Sequence, residues 1–191
     1  MQYSRTLGFS PILVITAVLA SACSGTDLPS DPGAKSNIAP DAPAYSAETT
    51  HAPRKIAMLD DCDSSDPWPG GCNLAGGLVT LAQFQAAAPF GHAAWRNQPS
   101  YMRVTAGKDV SISNDGGRPH SFTRVAAYGG GLLPNLNHPG QAVAPECINP
   151  ATRLPTILNG GGTMKIENLE PGIHKYMCCF HPWMIAEIRV L

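Results

Sequence analysis

The chain has 191 residues and a formal net charge of −1, with 14% charged and 43% hydrophobic residues. That length suits one domain with tails, and a near-neutral balance with no basic stripe or run argues against nucleic acid as a partner. With 19 glycines and 18 prolines, and no long helical apolar periodicity after the N-terminus, the composition favours an all-β chain of many short strands joined by turns.

Residues 1–22 read as an export signal. Arg5 is a lone positive charge, Phe9 to Leu19 is almost wholly apolar, and Ala20-Ser21-Ala22 is a small-residue cleavage site. The apolar run is too short to span a bilayer comfortably. Cys23 directly follows, in the place of the lipid-modified cysteine of a bacterial lipoprotein. Ala20 stands where such signals usually carry leucine, so lipidation and simple cleavage both stay open; a lipid on Cys23 is the expected route to a membrane. Residues 23–54 are rich in Pro, Ala, Ser, Asp and Thr and read as a flexible tether, in which His51 is solvated.

Residues 55–191 read as a single domain. Lys55 to Leu59 is expected as a first edge strand, and Asp60 to Gly71, with Pro67 and Pro69, as an acidic loop. Gly77 to Phe84 has the alternation of a half-buried strand. Gln85 to Gln98, broken by Pro89 and Gly91, holds His92 and Trp95 as packing or loop residues. Tyr101 to Val104, the turn Ala106-Gly107-Lys108 and Asp109 to Asn114 form a strand, turn, strand unit. His120, after Pro119, opens a further strand. Val125 to Pro155 is a long insertion, of the kind that is functional or pinned down; His138 within it is expected to be exposed. Leu154 to Leu158 and Thr163 to Asn168 are expected strands. His174 to Met177 leads onward with His174 outward and solvated, and Glu187 to Leu191 closes the sheet.

The stretch Tyr176-Met177-Cys178-Cys179-Phe180-His181-Pro182-Trp183-Met184 carries the chemistry. Cys178, His181 and Met184 are spaced C-x-x-H-x-x-M, and a thiolate and an imidazole with a more distant thioether suit a mononuclear copper site. His120 is the candidate second imidazole. Cys179 would leave one residue before His181, and adjacent strand residues face opposite ways, so Cys178 is chosen. Export implies an oxidising compartment. With Cys23 and Cys178 assigned, four of the six cysteines remain, and the expected pairs are Cys62 with Cys72 and Cys147 with Cys179. The alternative for Cys179 is a small buried hydrophobe.

The blocks V-T-A-G-K-D-V-S-I-S-N-D-G-G-R-P-H-S-F-T and Y-M-C-C-F-H-P-W-M resemble the cupredoxin, or blue copper, family, with a short loop most similar to amicyanin-like and pseudoazurin-like members and plastocyanin-like overall. The resemblance spans about Tyr101 to Leu191. It implies a Greek-key β-sandwich with one copper ion held by His120, Cys178, His181 and Met184. It also implies an apolar patch near the C-terminal histidine for docking a redox protein, here Pro182 and Trp183. Ser121 stands where many members have asparagine bracing the two ligand loops, Ala186 where a glycine often follows, and Cys179 is an unusual neighbour for the ligand thiolate.

The expected function is therefore an exported periplasmic or cell-surface copper protein that carries single electrons and is not an enzyme. No paired carboxylates and no Ser/His/Asp arrangement stand at a believable spacing. The alternatives are a copper-capture or copper-delivery protein and a redox protein using Cys178 and Cys179 as thiols.

Overall fold

A computed structural model describes residues 54–191. The export signal, Cys23 and the tether up to residue 53, His51 included, lie outside the described residues.

Ten strands run in order: β1 (Lys55–Leu59), β2 (Arg96–Gln98), β3 (Tyr101–Val104), β4 (Val110–Asn114), β5 (His120–Ser121), β6 (Thr123–Val125), β7 (Ile157–Leu158), β8 (Thr163–Ile166), β9 (Gly172–Met177) and β10 (Ile185–Val190). One sheet has the order β2-β1-β4-β8, a second β3-β10-β9-β6, and β5 pairs with β7 in a short ladder. This is an all-β sandwich with both parallel and antiparallel neighbours.

Alternation makes the sandwich. Ile56 and Met58 of β1 and Val110 and Ile112 of β4 point inward from the first sheet. Tyr176, Ala186, Ile188 and Val190 point inward from the second, and one apolar cluster joins them. Each Ile, Val and Met among them removed from water contributes on the order of 1.5–3 kcal/mol before entropy. The turn at Ala106-Gly107 carries the chain between the layers: β3 pairs with β10, whereas β4 pairs with β1 and β8. Gly107 there has φ +73, a conformation open to glycine at little steric cost.

Four expectations are corrected. β1 is no edge strand, because β2 pairs on one side of it and β4 on the other. The stretch Gly77 to Phe84 is not a strand either. Val79 makes an isolated bridge to Cys62, and helix α1 (Leu81–Ala86) follows. Thr80 Oγ1 accepts the Gln83 N–H and Gln83 Oε1 accepts the Thr80 N–H, a capping box that starts a helix where alternation suggested a strand. Leu154 to Leu158 is strand only at β7, after a 3₁₀ turn at Leu154–Thr156. His174 is 4% exposed, not solvated, and its Nε2 donates to the Glu170 carbonyl at 2.7 Å.

The insertion after Val125 holds a 3₁₀ turn (Pro134–Leu136) and two short helices, α2 (Pro145–Ile148) and α3 (Pro150–Arg153). A Cys147–Cys179 disulfide pins it to the chain after β9, where a small cluster of Val125, Ala144, Cys147, Met177 and Cys179 packs. The second disulfide joins Cys62 and Cys72. Cys178 is the free cysteine among the described residues.

Candidate metal centre

Cys178 is the first residue beyond β9. Its backbone N–H donates to the Met184 carbonyl at 3.0 Å, and the Met184 N–H donates to the His181 carbonyl at 2.9 Å. These bonds close residues 178–184 into a tight loop between β9 and β10, stiffened by Pro182 with its fixed φ. His120 enters from β5, whose partner β7 holds it opposite Leu158.

The three side chains meet inside the protein. His120 Nδ1 lies 3.2 Å from His181 Nδ1, and Cys178 Sγ lies 3.8 Å from His120 Nδ1 and 3.6 Å from His181 Nδ1. Their exposures are 0%, 0% and 6% for His120, Cys178 and His181. Donors at about 2.0–2.3 Å from a common ion, at angles between about 100° and 120°, stand roughly 3–4 Å apart. The donor set and its spacing fit one mononuclear copper ion. Met184 is fully buried in the same apolar cluster as Cys178.

Burial works against charge on these groups, and the partners decide the outcome. For Cys178, burial opposes the thiolate, but the hydrogen bonds and positive charge of His120 and His181 hold the thiol well below its ordinary range. For His120, burial opposes the imidazolium, yet the bonds to Asp60 and Cys178 raise it to about 9. His181 is lowered, chiefly by burial. The pocket thus favours the thiolate, the form of sulfur that ligates a metal.

The adjacent cysteines have opposite fates. Cys179 is bonded to Cys147, so there is no vicinal thiol pair for the redox reading to use. The brace that Ser121 left in question is present in another form. The Ser121 N–H donates to Cys178 Sγ at 3.4 Å, and Ser121 Oγ accepts the Cys179 N–H at 2.8 Å. Ala186 fills its place in β10 fully buried, its carbonyl accepting Tyr128 Oη at 2.9 Å.

Two contributions were not read from the sequence. Asp60, which follows β1, is 7% exposed and accepts His120 Nε2–H at 2.8 Å; lying among Asp61, Asp63 and Asp66, it carries no signal that singles it out. An aromatic wall formed by Phe84, Trp95 and Trp183 surrounds His181, with ring centroids 5.7, 6.4 and 5.9 Å away. Trp95 is a packing residue, as read. His92 stays outside the ligand group, its Nδ1 accepting the Ala94 N–H at 3.2 Å, and His138 is exposed.

Pro182 is buried and Trp183 is half-buried against Phe84 and Gly91. The opening beside His181 is a cavity of about 220 Å³ lined by Arg118, Pro119, Leu133, Phe180 and His181 itself.

No family model and no curated protein matches the chain. Solved structures do. The chain is similar to a purple cupredoxin from Nitrosopumilus maritimus at 18% identity, over 72% of this chain and 98% of that one, with a TM-score of 0.40. A plastocyanin from Dryopteris crassirhizoma is similar at 17% identity, over 72% and 99%, with a TM-score of 0.39. A reduced amicyanin variant follows at 19% identity, over 52% and 77%, with a TM-score of 0.35. These neighbours are cupredoxins. It is this chain's own donor atoms that define the centre. Among the described residues, no helix is long and apolar enough to cross a membrane.

Proposed function

We propose that the chain is an exported electron carrier in which His120, Cys178, His181 and Met184 would hold a copper ion. The carrying observation is the buried triangle of two imidazole Nδ1 atoms and one thiol sulfur, with edges of 3.2, 3.6 and 3.8 Å. A copper ion held there supplies a one-electron couple without proton chemistry of its own.

The protein supplies the rest. Main-chain bonds fix the 178–184 loop, Ser121 ties Cys178 to the His120 strand, and burial keeps water from the donors. A cage held this firmly suits both oxidation states, because little has to move when an electron arrives. The thiolate and thioether favour the reduced ion, while the imidazoles accommodate both. The same burial disfavours capture and delivery, since a handed-on ion needs ligands that a partner can reach. Two disulfides fit a compartment outside the cytoplasm. The partner is a redox protein, and the chain is a carrier rather than a catalyst.

The test is to express residues 24–191 in an oxidising compartment, add Cu(II) and record the visible spectrum. An intense band near the red end, bleached by ascorbate and restored by a mild oxidant, supports the reading. A colourless copper-bound protein moves it to capture or delivery, and failure to bind copper refutes it.

A further inference from the structure

The metal-ligand assignment leaves one buried carboxylate unused. Asp60 sits where the central strand β1 ends, and four donors converge on it. Oδ1 accepts the N–H groups of Gly117 at 3.0 Å and Cys62 at 3.3 Å. Oδ2 accepts the Arg118 N–H at 2.9 Å and His120 Nε2–H at 2.8 Å. Three of the four are main-chain amides, and the one ion-pair partner of Asp60 among the described residues is His120. A carboxylate takes only acceptor roles when ionised, so Nε2 must carry the proton and Nδ1 is left to face Cys178 and His181.

The surroundings hold this carboxylate in place. Cys62, two residues on, is tied to Cys72. The Arg118 guanidinium donates to the carbonyls of Pro69 and Gly71 and lies over the Trp68 ring at 5.2 Å. The disulfide loop and the His120 loop are thereby stitched together around Asp60. Gly116 leaves room for it: a Cβ there would collide with Oδ2.

We propose that Asp60 is the positioning residue of the centre: it fixes His120 with Nδ1 toward the other donors, and its buried negative charge lowers the reduction potential of the bound copper. The inference rests on the copper reading above. A ligand imidazole anchored by a carboxylate is oriented and made more basic, and an anion close to the ion favours its more positive oxidation state in a poorly screened interior.

Two measurements test it. In the metal-free chain, ¹H–¹⁵N NMR of the histidine rings should show the His120 Nε2–H in slow exchange with water, and Asp60→Ala should abolish it. A parent in which that proton exchanges freely overturns the positioning role without any variant. In the copper-loaded chain, Asp60→Asn removes the charge and keeps an acceptor oxygen. It should retain the thiolate band and shift the potential upward in a spectroelectrochemical titration, and an unchanged potential overturns the tuning. Should Asp60→Asn fail to fold, Gly116→Ala keeps the charge while crowding Oδ2; it should move or broaden the His120 ring signal, and an unmoved signal counts against the role. A parent without the thiolate band sinks the copper reading and the tuning with it, while the metal-free ring signal decides the positioning separately.

Discussion

Ser121 Oγ accepts the backbone N–H of Cys179 at 2.8 Å, deep inside the protein. It thereby couples the strand that carries His120 to the loop that carries Cys178. The Ser121 N–H to Cys178 Sγ is a main-chain donor and survives any side-chain change. Ser121→Ala leaves a buried N–H unpaired, which costs about 1–3 kcal/mol. Denaturant titration of the metal-free variant should show that loss, with the copper–thiolate band still present on loading. No change in stability would mean that the bond contributes nothing net.

Met184 fills a fully buried position, so Met184→Leu conserves volume and should cost less than about 1.5 kcal/mol. With the thioether gone and the two imidazoles and the thiolate kept, the variant should bind copper at a raised potential. Voltammetry checks this. Complete loss of copper would count against an axial role.

Cys178 and Cys179 should separate cleanly by mutation. Cys178→Ser should abolish the visible band while leaving both disulfides. The paired change Cys147→Ser with Cys179→Ser opens a loop closed over a separation of 32 residues, a loss of about 4 kcal/mol on the chain-entropy account. It should keep the band. Spectra and chemical denaturation of the two proteins distinguish metal ligand from staple.

Gly91 has φ +89 and faces the Trp183 indole, which a Cβ would strike. Gly91→Ala therefore combines a backbone strain of about 1–2 kcal/mol with displacement of the ring. A lower Tm and a red-shifted tryptophan emission should result. A protein of parental Tm would show that this segment is free to adjust.

The ligand loop was legible because its donors lie within seven residues of sequence, and His120 because it opens a strand after a proline. The inward set of β9 was legible in part. With Cys178 facing the centre, the period of two carries Tyr176 and His174 to the same side, which is why His174 is buried. Helix α1 is masked by the alternation of Gly77 to Phe84, against which the Thr80 and Gln83 pair is the one local helix signal. The central place of β1 and the contacts of Asp60 depend on pairings between distant parts of the sequence, and no local pattern encodes those.

The Cys147–Cys179 bond also decides which sulfur the centre can use. Once the bond forms, the spare thiol is withdrawn to the back of the strand and a single sulfur remains beside the imidazoles. An incoming ion therefore meets one thiol at the centre, and the neighbouring sulfur is committed to the staple.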